Sequence, residues 1–359
     1  MRSEPYVRYT PLISALIAAC VLTGCWEIKD LGDLAGGPSF SEAYAINDVG
    51  EVVGYGTTST LNEAFIWDGT TGMRSLGALS LQGSLLSCTA YGINTAGLVV
   101  GACLSPTTGG YVATRWIGRG SPATLPVVAV SLSSEARAVN EIGEVAGTIR
   151  TRGAIASDAI LRWDVRIPGA LTGGCSPLPA DLGGAGIGSA INAKGFIAGN
   201  ALVFRGQPGS HQPYICNPVA GIVDPIKDLA IPAGTGLPPD QGEARGINDL
   251  NQIVGVYGGK GFLWTAASPT GVTGRAEVIP LEPYDINNKG QIVGIANGRA
   301  VLYDSVAKTP PIDLGALPAV QAAGWKSLSI ARAINDKGQI VGTGVNAQNE
   351  VHGFVLSDI

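Results

Sequence analysis

After residue 25 the chain is a succession of short apolar runs, β-branched or aromatic, cut by Gly, Asn and Pro. Val52-Val53, Val99-Val100, Ile253-Val254 and Ile340-Val341 are such runs. Runs of that length between turn residues predict strands. No stretch beyond the N-terminus keeps apolar residues at helical spacing, so no helix is expected there. The runs sit inside a repeated phrase: Ile-Asn, two turn residues, Gly, one residue, a β-branched pair, Gly. Its first copy is Ile46-Asn47-Asp48-Val49-Gly50-Glu51-Val52-Val53-Gly54. The Asn returns at Asn94, Asn140, Asn192, Asn248, Asn287 and Asn335, at spacings of 47, 46, 52, 56, 39 and 48 residues. A period in this range marks a stacked or radial repeat architecture.

Each phrase reads as a hairpin. Asn at the first turn position can bond to the backbone two residues on, and Gly accepts positive φ without a Cβ clash. A type I turn with a bulge is a common short hairpin connection. In the fifth copy Asn251 stands where the others have Gly, and Asn is the next residue most tolerant of that geometry. A third strand is expected at residues 64–67, 113–116, 160–163, 213–216, 261–264, 300–303 and 353–356. A fourth ends in Leu-Gly or Leu plus a small residue, as in Arg74-Ser75-Leu76-Gly77, Ala180-Asp181-Leu182-Gly183 and Ile312-Asp313-Leu314-Gly315. Four short strands per repeat, arranged radially, make a β-propeller blade.

The two ends of the chain distinguish a closed ring from an open stack. The last copy stops after its third strand, with only Ser357, Asp358 and Ile359 remaining. Its missing fourth strand stands at the other end, as Ile28-Lys29-Asp30-Leu31-Gly32. The same Ile-Lys-Asp-Leu string recurs as an expected fourth strand at 226–229. An open solenoid would leave two exposed strand edges, a liability that closure reduces. The expected fold is therefore all-β: a seven-bladed β-propeller of four-stranded blades over residues 25–359, closed by the N-terminal strand completing the last blade. On its phrase and its third strand the chain resembles the HAF repeat family, named for a His-Ala-Phe string. That position reads Glu63-Ala64-Phe65 and His352-Gly353-Phe354 here. The resemblance spans essentially the whole chain after residue 25. It implies an exported protein with a propeller-like fold, and it implies no activity. The literal string never occurs, and the fourth copy is irregular around residues 199–214.

Residues 1–24 read as a signal peptide. Arg2 and Arg8 charge its start, and the apolar stretch 12–22 is too short to span a bilayer. Leu22-Thr23-Gly24-Cys25 resembles the bacterial lipobox, in which the Cys is lipidated and begins the mature chain. The other reading is ordinary signal cleavage nearby, with Cys25 a plain thiol. More than one lipid chain at Cys25 would attach the protein stably. Trp26 rather than Asp follows, so inner-membrane retention is not indicated; the outer membrane or cell surface is expected. The closing strand begins almost at once, so the propeller would sit directly on the membrane with its last blade nearest. Of six cysteines, Cys20 lies in the signal and Cys25 at the anchor. The even remainder suggests disulfides in an exported protein. Cys88 and Cys103 lie on opposite arms of one hairpin, where a bulge could turn them to opposite faces. Cys175 and Cys216 would then pair. No CxxC or His-Cys spacing supports metal binding instead.

Charged residues are only 14% of the chain and the net charge is −5, so there is no basic stripe for nucleic acid. No G-x-S-x-G elbow, H-E-x-x-H or P-loop occurs, and no cofactor is expected. His211 and His352 open third strands at equivalent points of their repeats, which reads as a structural position. The residue after each repeat Asn is Asp48, Thr95, Glu141, Ala193, Asp249, Asn288 or Asp336. Ala and Thr break a calcium ligand set, and turn capping accounts for the Asn.

Candidate chemistry lies just upstream of the phrase. Three residues before each Asn stand Tyr44, Tyr91, Arg137, Ser189, Arg245, Tyr284 and Arg332. Two residues earlier stand Glu42, Thr89, Glu135, Ile187, Glu243, Glu282 and Ile330. The first strand of a propeller blade is innermost, so these positions form two rings near the channel mouth. Residues two apart share a strand face, which places Glu135 beside Arg137 and Glu243 beside Arg245. Tyr and Arg on a concave rim suit sugars or anionic groups. The same side chains could equally pair across blades to hold the ring together. The connections 102–111, 230–243 and 316–329 vary in length, share one face, and belong to the kind of loop that usually carries binding. Trp325 and Lys326 are candidate contacts there, with Trp325 alternatively tucked against the ring. The expected function is an exported, lipid-anchored, non-enzymatic binding scaffold of the cell envelope. It would be monomeric, with a glycan or an envelope or extracellular protein as partner. The alternative is a carbohydrate-active hydrolase or lyase using two glutamates at the mouth.

Overall fold

The computed structural model describes residues 26–105, 109–118, 121–127, 131–151, 157–165, 186–203, 210–217, 222–225, 242–268 and 273–358. Every repeat phrase folds as a hairpin. In the first, Asn47 Oδ1 accepts from the N–H groups of Val49 (3.2 Å) and Glu51 (2.8 Å), while Gly50 sits at φ 87°. Asn251 takes the same left-handed place at φ 56°. The hairpins build seven antiparallel sheets in a ring. Their innermost strands are Ser41–Ile46, Ser87–Ile93, Ser131–Val139, Gly186–Ile191, Gly242–Ile247, Glu282–Ile286 and Ser327–Ile334, in blades 1 to 7.

The ring closes as the sequence predicts. Trp26–Asp30 forms the outer strand of blade 7, antiparallel to Val351–Asp358, with Trp26 opposite Asp358 and Asp30 opposite Phe354. Three expectations need correction or fall outside the described residues. The described fourth strand of blade 4 is Ile222–Pro225, ahead of the 226–229 string, which lies outside them. The fourth strand expected at 180–183 in blade 3 lies outside as well. A short helix, Pro318–Ala322, occupies the 316–329 connection, where no helix was expected. Proline pre-sets the first helical φ, and Val320 anchors the turn in the core. Five residues are too few to show a helical period. The helix returns the chain so that Trp325 is buried at 6% exposure, edge-on to Phe354 with ring centroids 6.0 Å apart. Trp325 is thus the tucked residue rather than an exposed contact, whereas Lys326 is exposed.

The core lies between blades. Val53 and Ile66 of blade 1 pack with Leu86, Val99 and Trp116 on the blade 2 side. Trp163 and Trp264 fill equivalent gaps further round. Each such side chain contributes roughly 1.5–3 kcal/mol by leaving water. A second set of contacts, not foreseen, links the blades through the repeat Asn itself. Asn47 Nδ2 donates to the Asn94 carbonyl at 3.0 Å, Asn94 to Asn140 at 3.1 Å, Asn140 to Asn192 at 3.0 Å and Asn192 to Asn248 at 3.0 Å. Asn248 donates to Asn287 at 3.0 Å, Asn287 to Asn335 at 3.1 Å, and Asn335 back to Asn47 at 2.9 Å. The carboxamide oxygen caps its own turn while the nitrogen stitches the next blade. All of these side chains are buried, where an unmade bond is costly.

Cys88 and Cys103 are disulfide-bonded, their Cα atoms 4.0 Å apart. A bulge does lie between Cys88 and the turn, with the register shift between Ala90 and Gly92. It has the opposite effect to the one feared: it brings Cys88 directly opposite Cys103. Cys216 is also disulfide-bonded, and its expected partner Cys175 lies outside the described residues, as do Cys25 and the signal segment.

Candidate functional site

The same irregularity recurs in every innermost strand. Register shifts fall between Ala43 and Ala45, Ala90 and Gly92, Ala136 and Ala138, and Gly188 and Ala190. They continue between Ala244 and Gly246, Pro283 and Asp285, and Ala331 and Ala333. The residue skipped each time is Tyr44, Tyr91, Arg137, Ser189, Arg245, Tyr284 or Arg332. A bulge leaves one residue unpaired and re-aims its side chain. Here all seven aim into the channel, so side-chain alternation alone does not place them. The partner strand shows why the backbone accepts this. A Cβ on Gly54, Gly101, Gly147, Gly199, Gly255, Gly294 or Gly342 would fall on a carbonyl oxygen of the bulged strand, that of Glu42 in the case of Gly54. The last Gly of the repeat phrase is the counterpart of the bulge, and it was the one available sequence signal for it.

The bulge residues line a cavity of about 320 Å³ together with Ile187, Asn200 and Glu243. A second cavity of about 290 Å³, over Tyr111, Ser133, Glu135 and Thr148, shares Arg137 and Ile187 with it. Within the mouth the cations are stacked and paired. The guanidinium of Arg137 lies 4.9 Å from the Tyr91 ring centroid, that of Arg245 4.5 Å from Tyr284, and that of Arg332 4.5 Å from Tyr44. Arg137 bonds Glu135 at 2.5 Å. Arg245 bonds Glu243 of its own blade at 3.2 Å and Glu282 of the next at 2.8 Å. Arg332 reaches across the closure to Glu42 at 3.2 Å. Burial pushes the hydroxyls of Tyr44 and Tyr91 up to about 12, despite the pull of Arg332 and Arg137, so both remain neutral donors. Burial works against the charge on Arg245, but Glu282, Tyr284 and Glu243 outweigh it and raise its pKa.

The ten residues singled out from sequence therefore do come together, but not as two equivalent rings. Tyr44, Tyr91, Arg137, Arg245, Tyr284 and Arg332 face the cavity, and Glu243 borders it. Glu42, Glu135 and Glu282 serve as partners that fix the guanidinium planes. Blade 4 interrupts the pattern, because Ser189 and Ile187 leave a notch among the large side chains. Asn200 was missed; it borders the notch while its Oδ1 accepts from the Ala244 N–H at 2.9 Å.

The channel's other end is built from the turns. Ile46, Ile93, Val139, Ile191, Ile247, Ile286 and Ile334 form an aliphatic collar there. The residues following the repeat Asn link neighbouring turns. The N–H of Asp336 donates to Asp48 at 3.0 Å, that of Asn288 to Asp336 at 2.8 Å, and that of Ala193 to Asp249 at 2.8 Å. Just inside the collar, where the other blades carry Ala or Gly, blade 6 has Asp285. Its carboxylate accepts from the Ile286 N–H at 2.9 Å and the Ile334 N–H at 3.0 Å. Burial pushes its pKa up to about 7 against those bonds.

His352 is buried in the closing blade and makes a relay absent from the sequence reading. Its Nε2 lies 2.9 Å from Ser39 Oγ, and its Nδ1 donates to Asp30 Oδ1 at 2.8 Å. The Asp30 bond raises the imidazole pKa, outweighing burial. Burial would raise Asp30 in turn, but bonds from His352, Asn346 and Gly32 hold it below the ordinary carboxylate value. Three elements meet here: the N-terminal strand, the last strand, and the chain entering blade 1. His211 lies at the corresponding place in blade 4, opposite Leu202.

No family model matches the chain, and no curated protein matches it. Solved structures do resemble it. They include TolB from Acinetobacter baumannii, with TM-score 0.41 and 15% identity, covering 67% of this chain and 56% of TolB. A gluconolactonase from Xanthomonas campestris gives TM-score 0.45 and 10% identity, covering 95% of this chain and 92% of the enzyme. Apo AztD from Citrobacter koseri gives 0.34 and 10%, covering 87% and 94%. The chain thus spans little more than half the length of TolB. At these identities and scores the likeness is one of fold, and no ligand or activity passes from it to this chain.

Proposed function

We propose that this chain is an exported, lipid-anchored binding protein of the cell envelope, whose channel mouth takes a glycan unit bearing hydroxyl or anionic groups. The observation that carries the reading is the set of seven bulges. Each turns one side chain out of the sheet ladder and into a shared cavity, and six of the seven are Tyr or Arg. Stacked Tyr–Arg pairs offer a π face and a planar fork of donors in fixed positions. Binding is favoured over glycoside hydrolysis because the glutamates nearby are held by guanidinium groups. A hydrolase of that kind needs two carboxyl groups with separate roles across an open gap.

The test replaces Glu135, Arg137, Glu243 and Arg245 one at a time and measures melting and binding to an oligosaccharide panel. Retained stability with lost binding supports the site. Lost stability with no ligand found leaves the pairs as ring struts. For the anchor, Cys25→Ala is expected to move the protein from the membrane fraction to the soluble exported fraction. A wild type already soluble after export would rule the lipobox reading out.

One observation favours a second reading. Ser39, His352 and Asp30 have the order and spacing of an acyl-transfer relay. Covalent labelling of Ser39 by a fluorophosphonate, lost in His352→Gln, would make Ser39 a nucleophile. A folded protein inert to the probe leaves the relay as a latch on the closure.

A further inference from the structure

We propose that the face carrying the turns between first and second strands is a lipid-docking face, so that the Tyr/Arg mouth points away from the membrane. The proposal rests on the anchored reading above and adds an orientation and a contact surface to it. In a four-stranded antiparallel blade, the turns after the first and third strands share one face, and the connections after the second and fourth share the other. Trp26 pairs with Asp358 at the end of a third strand. The chain therefore enters the ring, at Trp26, on the turn face. The variable connections and the Tyr/Arg mouth belong to the opposite one.

The turn face also presents large apolar side chains at its tips. Val49, Ile142 and Leu250 occupy the same position of their phrases and are 61%, 46% and 54% exposed. Val306, in the blade 6 turn bonded to Gly290, is 78% exposed. In other blades the phrase position carries Lys194, Lys289 and Lys337, all exposed; Lys194 Nζ donates to the Asp249 carbonyl of the next turn at 2.6 Å, while the long stems of Lys289 and Lys337 can follow the apolar tips into an interface with the ammonium at headgroup level. The nearby carboxylates of Asp48, Asp249 and Asp336 are turned sideways onto neighbouring turn N–H groups. The seven turns are of equal length, so their tips approach one plane. A plane of apolar tips, with the proposed lipid-bearing Cys25 immediately before the entry strand in sequence, fits a bilayer surface rather than a second copy of the ring.

Single cysteines replacing Val306, Leu250 or, on the opposite face, Lys326 are labelled with nitrobenzoxadiazole in the full-length chain. The protein is then reconstituted in phosphatidylethanolamine–phosphatidylglycerol vesicles containing brominated lipid. Quenching at positions 306 and 250 at least threefold greater than at 326 is expected. The triple variant Val49→Asp/Leu250→Asp/Val306→Asp should lower that quenching severalfold without shifting the melting curve. Equal quenching on both faces, or stronger quenching at 326, overturns the proposal. The same labels on the Cys25→Ala chain, held to nickel-chelating vesicles by an N-terminal hexahistidine tag, separate the two claims. Face-selective quenching there supports the docking face even if Cys25 proves unlipidated. Its loss there, with lipidation intact, overturns the docking face alone.

Discussion

Asn287 and Asn335 form a matched pair on which the closed ring can be tested. Both precede a Lys-Gly-Gln turn, and both make the same local bonds. Asn287 Oδ1 accepts from Lys289 and Gln291 at 3.1 and 3.0 Å, and Asn335 Oδ1 from Lys337 and Gln339 at 3.1 and 2.9 Å. They differ only in where Nδ2 points: Asn287 to the Asn335 carbonyl within the chain's succession, Asn335 across the seam to Asn47. Replacement by Asp keeps the turn acceptor and removes the inter-blade donor. It strips the second donor from a buried carbonyl that keeps only its turn bond from a Gly N–H, and it faces that carbonyl and the neighbouring Gln side-chain oxygen with a carboxylate, at a cost of about 2–3 kcal/mol. For a domain of this size that is a fall in melting temperature of about 3–4 °C. The closed ring predicts equal falls for Asn287→Asp and Asn335→Asp, read by circular dichroism at neutral pH. A fall for the first with no change for the second would refute the reasoning, since the seam bond would not exist in solution.

Asp285→Ala should lose stability at pH 4, where its two backbone bonds are forfeited, and gain it at pH 8. The sign follows from its pKa of about 7 in the fold: the native state holds the proton that the unfolded state releases near 4, so stability falls as pH rises between the two. The swing is about 2–4 kcal/mol, the lower figure allowing for water in the channel; pH-independent stability of wild type and variant alike would contradict it. His352→Gln should cost most between about pH 4 and 6.5. The raised histidine value makes its contribution complete below the unfolded pKa and lost as pH rises through the folded one; the lowered Asp30 value makes its share fade as acid protonates it. A melting difference constant from pH 4 to 9 would dismiss the ionic latch. Gly255→Ala places a Cβ on the Glu243 carbonyl and should destabilise the ring by about 3 kcal/mol or more; an unchanged melting curve would show that the bulge is not required.

How much was legible depended on whether a feature left a residue-type signature. The period, the hairpin turns and the closure were legible, because Asn and Gly are selected by turn geometry and because Ile28-Lys29-Asp30-Leu31 supplies the strand missing after Leu356. The positions of the Tyr and Arg residues were legible as a column. Their orientation was not: strand alternation put Glu135 and Arg137 on one face, whereas a bulge between Ala136 and Ala138 sets the arginine. Only Gly147, across from it, records that bulge in the sequence, and a strand glycine has many causes. The Asn ring was hidden because one carboxamide does two jobs, and the turn alone explains its presence. The relay at His352 joins residues 313 and 322 positions apart along the chain, a juxtaposition no local pattern can reveal.

Ser189 offers the most direct test of the mouth as a binding site. It is the small bulge residue in blade 4, faces the cavity, and holds none of the ion pairs that brace the ring. Ser189→Trp fills the notch while leaving those pairs in place. Calorimetric titration with the tightest-binding oligosaccharide of the panel should show at least a tenfold loss of affinity, with a melting curve like that of the wild type. Undiminished affinity in the folded variant would contradict the claim that ligand enters there.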